Sequence, residues 1–408
     1  MPTSDFSNAL FELAQAEQLR TRRLVSSPQD ASMIIDGERV MSFASNDYLG
    51  LANHPRVVAA AIHALKRYGL GGGASHMVTG HMQPHHDLEL RLATFLGLPK
   101  ALLFSSGYAA NLGILTALAG RGDTIFADKL NHACLNDGAV LSRAEFKRFP
   151  HNDLKKLEAL LGNAADARSA GRKIIATDAV FSMDGDIAPL AEMLELAERY
   201  DAMLVIDDAH GFGVLGYRGK GVLELLNLKS ERIVYMATLG KAAGGYGAFV
   251  AAHEDVIEWI MQTARTYLFA TATPPAIAAA MLVSLDIMVE DHERRRHLRT
   301  LIDFFSDSLK LQYAKTPFSQ TAIQPIIVGS NANAMAFSEA LRERHMLVPA
   351  IRPPTVPAGT ARLRVSLNAN HTTEDVFDLV TAITDIEVLL LGQNVGQGVG
   401  QRIGQNTI

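Results

Sequence analysis

Short apolar runs alternate with segments of helical periodicity through the middle of the chain, and this alternation constrains the fold more than any other feature. The segments AANLGILTALAG and LAEMLELAERY have the spacing of helices. The apolar runs are short and bounded by polar residues, namely ALLFSS, DTIFAD, KIIATD, AMLVIDD, RIVYMAT and GAFVAA. Near-continuous apolar strands joined by helical crossovers predict an α/β fold, in which helices cover both faces of a mostly parallel sheet.

The last part of the chain has a different order of elements. From about Gln324, the strand QPIIVG precedes the helix NAMAFSEALRERH, the strand ARLRVSL and a helix from Thr373, which predicts a smaller α+β domain. A charged helix from about Ile287 to Leu311 is the predicted connector. A Gly/Gln-rich tail cannot bury a core and is predicted to be disordered. The predicted boundaries are 1–45 for an arm that joins the small domain, 46–290 for the large domain, 291–390 for the connector and small domain, and 391–408 for the tail.

Composition and charge exclude several classes of protein. The formal net charge is −5 and the pI is near 6.3, so the chain lacks the basic character of a nucleic-acid-binding protein. The apolar stretch AIAAAMLVSLDIM reaches Asp286 before it could span a bilayer, and the first residues lack the apolar core of a signal peptide. The single cysteine, Cys134, cannot form an internal disulfide. These features predict a cytoplasmic protein with no membrane or nucleic-acid partner.

One lysine lies among residues that are too small to cover it. In YMATLGKAAGGYGAF, from Tyr235 to Phe249, Lys241 is surrounded by glycine and alanine. A solvent-facing lysine needs no such clearance, whereas a desolvated amine beside a bulky planar partner does. Lysine lowers its pKa readily when it is desolvated, and it forms Schiff bases with carbonyl groups such as that of pyridoxal phosphate. From this stretch alone, an exposed lysine and a cofactor-bearing lysine remain equally open.

Polar residues and glycines follow the predicted strands, where ligands gather in parallel sheets. Asp207 and Asp208 end the strand AMLVIDD, and His210 follows. Buried acids require a cationic partner, which a protonated pyridine nitrogen would supply; metal ligation by Asp207 and His210 is the alternative. Gly107 follows ALLFSS and begins a helix whose N-terminus could hold a phosphate, although an ordinary tight turn has the same sequence pattern.

Two other motifs suggest different functions. GLGGGA, from Gly69 to Ala74, has the glycine spacing of a dinucleotide site, but it follows a helical pattern instead of a strand, which argues against a nicotinamide dehydrogenase. GHMQPHHDLE places His81 and His85 four residues apart, as in some metal sites. Pro84 and the following segment indicate a helix start, so surface or capping histidines are favoured and no metal site is predicted.

Six motifs together resemble the α-oxoamine synthases, which are pyridoxal-phosphate-dependent enzymes of fold type I, the aspartate-aminotransferase-like fold. In chain order they are SNDYLGL, LFSSGYAAN, NHACLNDG, VFSMDGDIAPL, IDDAHGFGVLG and LGKA. The resemblance extends from about residue 15 to 390. The stretch AIRPPTVPAGTARLRVSL from Ala350 resembles the member that condenses L-alanine with a pimeloyl thioester in biotin biosynthesis.

The identity of the substrates leaves alternatives open. The resemblance does not reveal whether the pimeloyl group arrives on coenzyme A or on a carrier protein. A related synthase that uses glycine or serine with acetyl or long-chain acyl thioesters remains an alternative. A catalytically silent partner subunit is disfavoured, since it would ordinarily lack Lys241.

The resemblance also implies roles for individual residues. Lys241 would carry the cofactor and move the substrate proton, Asp207 would pair with the pyridine nitrogen, and His132 would stack on the ring and take part in catalysis. Thr271 would reach the cofactor phosphate of the partner subunit, which implies a homodimer with shared sites. The other implied cofactor contacts are Gly107, Tyr108, Ser182, His210 and Thr238. The implied substrate contacts are Arg364 and Asn46 for the amino-acid carboxylate, Arg20 and Thr355 for the acyl partner, and again His132.

Overall fold

The computed structural model describes residues 4–166 and 171–392. Contacts within the chain divide it into two units. The small unit comprises Met1–Tyr48, Met183–Gly185 and Arg296–Ile408, and the large unit comprises Leu49–Ser182 and Asp186–Arg295. The predicted domain boundaries stay predictions. Most of the predicted disordered tail, residues 393–408, lies outside the described residues.

The strands and helices are numbered in chain order. The strands are β1 (Ser32–Ile35), β2 (Glu38–Ser42), β3 (Lys100–Phe104), β4 (Thr124–Asp128), β5 (Glu145–Phe149), β6 (Lys173–Asp178), β7 (Ala202–Asp207), β8 (Ile233–Thr238), β9 (Ala248–Ala252), β10 (Ile323–Gly329), β11 (Met346–Leu347), β12 (Ala350–Ile351) and β13 (Ala361–Ser366). The helices are α1 (Ser4–Gln15), α2 (Pro55–Tyr68), α3 (Gln83–Leu96), α4 (Gly107–Leu118), α5 (Ala133–Ser142), α6 (Leu154–Asp166), α7 (Leu190–Arg199), α8 (Val222–Leu225), α9 (Glu254–Thr263), α10 (Arg265–Leu268), α11 (Pro275–Glu290), α12 (His292–Ser308), α13 (Asn331–Glu343) and α14 (Thr373–Glu387). Two π-helical turns span His76–Gly80 and Val388–Gly392.

In the described part of the large unit, seven strands form one mixed sheet in the order β3-β9-β8-β7-β6-β4-β5. All six strands predicted for this region are confirmed, and the strands from β4 to β8 pair in parallel. Strand β9 is antiparallel to both β3 and β8. The loop Leu239–Gly247 between β8 and β9 is too short for the crossover that a parallel pair requires. Strand β5 was not predicted, because EFKRF is polar and lies at the sheet edge.

The predicted connector helix from Ile287 to Leu311 is wrong in its bounds. The structure has two helices here, and α11 ends before Asp291, whose backbone is not helical. The Asp291 carboxylate accepts a hydrogen bond from the backbone N–H of Arg294 at 3.0 Å. Asp291 thus stops one helix and caps the start of α12, since a side-chain acceptor satisfies an amide that has no partner within its own helix.

The described strands of the small unit form two three-stranded sheets, β1-β2-β11 and β10-β13-β12. The pairs β10–β13 and β12–β13 are antiparallel. Phe43, Phe337 and Leu363 are fully buried in this unit. The predicted strands and helices of this part are confirmed within a few residues of their predicted bounds. No helix among residues 4–166 and 171–392 is long and apolar enough to cross a membrane.

Candidate active site

A cavity of about 200 Å³ opens in the large unit at the carboxyl ends of its parallel strands. Because these strands run in one direction, the residues that end or follow them meet at the same edge of the sheet. Asp178, Asp207 and Thr238 end β6, β7 and β8, and His132 follows β4. The lining residues are Gly107, Tyr108, His132, Cys134, Asp178, Ser182, Asp207, Ala209, His210, Met236, Thr238 and Lys241. The cavity thus gathers every predicted cofactor contact except Thr271.

Asp207 is buried at the end of β7, and both of its carboxylate oxygens accept hydrogen bonds. Oδ1 accepts from the backbone N–H of Ala209 at 3.0 Å, and Oδ2 accepts from Nδ2 of Asn111 at 2.6 Å. Asn111 lies on α4 and is fully buried. These neutral donors orient the carboxylate at the wall of the cavity.

The adjacent acid, Asp208, has a different environment. Its Oδ2 accepts hydrogen bonds at 2.8 Å from the Tyr235 hydroxyl and from the backbone N–H of Val222. Burial raises the pKa of Asp208 to about 7. The expectation that adjacent buried acids share a cationic partner therefore applies to Asp207 alone, since Asp208 stabilises the structure beneath the site.

The Lys241 amine lies in the cavity, and its Nζ is 2.7 Å from Nε2 of His210. The small residues around this lysine do not all border empty space. A Cβ atom on Gly244 would collide with the backbone at Leu51 and Ala52, and one on Gly245 would collide with Met281. Several small residues therefore admit other parts of the protein, and the reasoning that they clear space for a planar partner is wrong for these two glycines.

His132 caps the N-terminus of α5, and its ring is held by groups that donate hydrogen bonds. The backbone N–H of Cys134 donates to Nδ1 at 3.3 Å, and the Cys134 Sγ lies 2.8 Å from the same nitrogen. The backbone N–H of His132 donates to Asp178 at 2.8 Å. Burial lowers the pKa of His132, and Asp207 acts in the opposite direction. The imidazole therefore favours its neutral form.

The N-terminus of α4 opens onto the cavity at Gly107 and Tyr108. Ser106 caps this helix by accepting from the backbone N–H of Ala109 at 3.1 Å. The Thr238 hydroxyl donates to the Gly247 carbonyl at 3.0 Å. The backbone amides at the start of this 12-residue helix form a suitable place for a phosphate group, and Thr238 lines the same cavity.

Thr271 is the one predicted cofactor contact that does not line the cavity. It is exposed, and its backbone forms an isolated antiparallel bridge with Ser75. The predicted contact between Thr271 and a partner subunit stays a prediction.

The predicted substrate residues of the small unit form two pairs. Arg364 is buried and donates through Nη1 to Asn46 Oδ1 at 3.2 Å and to the Ser366 hydroxyl at 2.9 Å, and through Nη2 to the Tyr48 hydroxyl at 3.3 Å. Arg20 donates through Nη2 to the Thr355 hydroxyl at 3.1 Å. Both pairs join segments that are far apart in the chain.

The histidine motif is not arranged as a metal site. His85 is buried, accepts from the backbone N–H of Met82 at 3.1 Å, and contacts the Thr273 carbonyl at 2.8 Å. His81 is exposed, and its Nδ1 lies 3.1 Å from Nδ1 of His76. Within the part of the chain that the structure describes, no group of three or more His, Cys, Asp or Glu side chains is placed to hold a metal ion. The predicted capping role is thus confirmed for His85.

A larger cavity of the large unit lies elsewhere. It has a volume of about 660 Å³ and is lined by residues that precede β3 and β8, including Leu98 and Ser230, with Arg218 and Lys220. It therefore lies at the amino ends of these strands and contains no predicted site residue. Judged by volume alone, this cavity would be chosen as the active site over the smaller one. The chemistry of the lining residues instead indicates the smaller cavity.

Comparison with known proteins identifies the family. Residues 38–383 match the family model "Aminotransferase class I and II". The chain belongs to this family. It is 55% identical over 378 residues to the 8-amino-7-oxononanoate synthase of Methylobacillus flagellatus. The aligned residues make up 93% of this chain and 94% of that protein. It is 54% identical over 374 residues to the synthase of the same name from Chromobacterium violaceum, with 91% and 95% covered.

Solved structures of family members have the same fold. Serine palmitoyltransferase of Sphingomonas wittichii matches with a TM-score of 0.86 and 31% identity, over 94% of this chain and 98% of that one. The 8-amino-7-oxononanoate synthase of Francisella tularensis matches with a TM-score of 0.72 and 30% identity, over 85% and 97%. The predicted fold class and the resemblance to α-oxoamine synthases are confirmed.

Sequence reasoning missed five polar residues that line the cavity or contact predicted site residues, namely Tyr48, Asn111, Cys134, Asp178 and Ser366. Asn111 and Cys134 lie in the motifs LFSSGYAAN and NHACLNDG, and Tyr48 and Ser366 flank Asn46 and Arg364. Asn111 is a polar residue in an otherwise apolar helix, which could have signalled a buried hydrogen-bonding role. Tyr48 and Ser366 gave no comparable signal.

Proposed function

We propose that the protein is a pyridoxal-phosphate-dependent enzyme that condenses L-alanine with a pimeloyl thioester. The products are 8-amino-7-oxononanoate, carbon dioxide and the free thiol carrier, which is either coenzyme A or a carrier protein. Relatives that are 50 to 55% identical to this chain carry the name of this synthase. The observation that carries the proposal is the single cavity that contains the Lys241 amine, the buried Asp207 carboxylate and the N-terminus of α4.

The residues of the cavity fit the cofactor. Asp207 is buried and ionisable, with neutral hydrogen-bond donors on both oxygens, so a protonated ring nitrogen is a suitable cation for it. Gly107, Tyr108 and Thr238 would hold the phosphate, and Ser182, His132 and His210 would contact the ring. When bound, the cofactor supplies an electron-withdrawing ring conjugated to the substrate nitrogen.

The chain's own residues then handle protons and orientation. Asp207 would keep the ring nitrogen of the bound cofactor protonated. Lys241 is the group that removes the alanine Cα proton and returns a proton at the end of the reaction, and His210, 2.7 Å away, orients its amine. His132, which lines the cavity, would contact the cofactor ring and donate a hydrogen bond toward the thioester carbonyl.

We assign binding of the alanine carboxylate to Arg364 with Asn46. Asn46, Tyr48 and Ser366 accept hydrogen bonds from the guanidinium group and orient it. A planar guanidinium group can bind a carboxylate through two parallel hydrogen bonds. Arg20 and Thr355, which contact each other, are assigned to the acyl partner. We further propose a cytoplasmic homodimer in which Thr271 reaches the partner's phosphate.

Substrate profiling tests the proposal. The purified protein should turn over L-alanine with pimeloyl-CoA or a pimeloyl carrier protein faster than glycine with acetyl-CoA or serine with palmitoyl-CoA. The last pair is the second candidate, because serine palmitoyltransferases are among the closely matching folds. A preference for glycine or serine would overturn the substrate assignment.

A chemical test addresses the cofactor assignment separately. Borohydride reduction should fix pyridoxal phosphate covalently to Lys241, as peptide mass spectrometry would detect. Lys241→Ala should retain the fold and lose turnover, whereas Lys220→Ala, a lysine that lines the larger cavity, should keep both. Recovery of the label on another residue would contradict the assignment.

A further inference from the structure

A chain of buried polar groups joins Asp207 to His132 through two residues that the proposed chemistry does not use. Asn111 Nδ2 lies 2.6 Å from Asp207 Oδ2 and 3.1 Å from Cys134 Sγ. Cys134 Sγ lies 2.8 Å from His132 Nδ1. Asn111 and Cys134 are both buried, with exposed fractions of 0% and 2%. Water therefore does not compete for these contacts.

The direction of each hydrogen bond follows from which groups can donate. An ionised carboxylate only accepts, so the amide nitrogen of Asn111 must be the group that faces Asp207. The same nitrogen has a second hydrogen, which it donates to Cys134 Sγ. Burial raises the pKa of Cys134, and Asp207 adds to this rise, so the thiol keeps its proton. The thiol hydrogen is then directed to His132 Nδ1.

Two donors therefore meet at one imidazole nitrogen, since the backbone N–H of Cys134 also points at Nδ1, 3.3 Å away. A nitrogen that accepts hydrogen bonds cannot carry a proton. Other ionisable groups near this ring are Asp207, Asp137 and Lys241, and Asp178 accepts from the backbone N–H of His132. Burial and Lys241 oppose protonation of the ring and the two carboxylates favour it, with burial the largest effect, so the two donors at Nδ1 act in the same direction as burial.

We propose that Asn111 and Cys134 are positioning residues that hold His132 in one neutral tautomer, with its proton on Nε2. His132 is thereby a hydrogen-bond donor through Nε2 and not a base. This inference deepens the proposed function, and it rests on that proposal for the role of His132 in the reaction. The tautomer itself is a property of this chain and can be measured without substrates.

Nuclear magnetic resonance of ¹⁵N-histidine-labelled protein tests the tautomer. Long-range proton–nitrogen spectra of the cofactor-loaded enzyme should show His132 with its proton on Nε2 from about pH 5 to about pH 8, the range in which a free histidine changes charge. The signal is assigned by its loss in His132→Gln. Cys134→Ala leaves only the longer backbone N–H contact, at 3.3 Å, and should introduce a fraction of the Nδ1–H or doubly protonated form, whereas Cys134→Ser should restore the wild-type spectrum because a hydroxyl also donates.

Ser142→Ala is the matched control, because Ser142 is a buried hydroxyl on the same helix that bonds to the Ala139 carbonyl and not to His132. Its His132 spectrum should equal that of wild type. A wild-type proton on Nδ1, or an unchanged spectrum in Cys134→Ala, would overturn the proposal.

Infrared spectroscopy gives a second test that does not depend on the folding of the Cys134→Ala variant. Cys134 is the only cysteine, so the protein has one S–H stretching band. That band should lie at the lowered frequency of a donating thiol and shift upward in His132→Phe. A band at the frequency of a free thiol in wild type would contradict the proposal.

Kinetics separate a positioning role from a purely structural one. Cys134→Ala should lower kcat about tenfold with little change in the KM for alanine, since a misplaced ring affects the chemical step more than binding. Cys134→Ser should recover most of this loss. If the enzyme fails to use L-alanine while the spectra are as expected, the proposed function fails and the tautomer assignment stands. If the enzyme uses L-alanine but the spectra differ from those expected, the tautomer assignment fails and the proposed function stands.

Discussion

His132 and His151 follow two adjacent parallel strands, β4 and β5, and the structure favours a neutral ring for His132 and a positively charged ring for His151. His132 faces donors at Nδ1, and burial lowers its pKa. His151 Nδ1 lies 3.2 Å from Asp128 Oδ1, and its Nε2 lies 2.9 Å from Asp186 Oδ2. Burial by itself would lower the pKa of His151, but the hydrogen bonds to these two carboxylates outweigh it and raise the pKa to about 10.

The difference shows that position in the fold does not determine what a histidine does. Both rings lie at the carboxyl edge of one sheet, where parallel strands collect functional groups. His132 contacts groups that leave one nitrogen ready to donate into a cavity. His151 has both nitrogens occupied by carboxylates and packs edge-on against Phe181, so it stabilises the structure. The neighbours of the ring therefore separate a histidine for chemistry from a histidine for stability.

The largest expected effect is on activity at His132. His132→Gln should lower kcat by about 10²- to 10⁴-fold, the range for loss of one proton-donating or proton-accepting group. Steady-state assays with L-alanine and a pimeloyl thioester measure this loss. The matched variant His151→Gln should stay within a few-fold of wild type. Equal losses in the two variants would remove the functional contrast.

The second effect is on stability at His151. His151→Gln should lower the free energy of unfolding by about 2 kcal/mol, because it leaves two carboxylates without their shared cation. Urea unfolding followed by circular dichroism measures it. His63→Gln, on an exposed position of α2, is the control and should change stability little. A His151 variant as stable as the control would show that the carboxylates need no charged partner.

The third effect is the pH dependence of that stabilisation. The pKa of His151 is raised from 6.5 to about 10 on folding, so its stabilisation is complete below pH 6.5 and is lost as the pH rises through 10. The difference in urea midpoint between wild type and His151→Gln should therefore be large at pH 6.5 and small above pH 10. A difference that stays constant with pH would mean that the ring acts through packing alone.

The smallest effect is expected from removal of one carboxylate charge. Asp186→Asn leaves Asp128 in contact with His151 and should lower the free energy of unfolding by about 1 kcal/mol. The pKa of His151, followed by proton resonance, should fall from its wild-type value yet stay above 6.5. A ring that loses its charge entirely in this variant would assign the whole shift to Asp186.

The sequence predicted those strands and site residues that are marked by a local pattern of residue types. The strand AMLVIDD and its terminal Asp207 are visible because an apolar run stops at an acid, and Lys241 is visible because its neighbours are small. The seven-strand order and the antiparallel direction of β9 are not visible, since they depend on how distant strands pair. Strand β5 was missed because an edge strand needs no continuous apolar run.

Contacts between segments that are distant in the chain could not be predicted from the sequence. Asn111 and Asp207 are 96 positions apart, and Arg364 and Asn46 are 318 positions apart. No periodicity connects such pairs, and the resemblance supplied the second pair but not the first. The glycines beside Lys241 were misread for the same reason, because their neighbours Leu51, Ala52 and Met281 come from remote parts of the chain.

The loop that carries Lys241 is more firmly anchored than its glycine content suggests. The backbone N–H of Leu239 donates to Gly247 O at 2.8 Å, that of Gly245 to Leu239 O at 2.9 Å, and that of Gly244 to Lys241 O at 2.8 Å. These amides should exchange slowly with deuterium, unlike those of an unanchored glycine-rich loop. The flexible methylene chain of Lys241 reorients on a much faster timescale. Only the side chain therefore has to move when the amine changes its bonding partner, and the polypeptide around it can remain protected from exchange through every turnover.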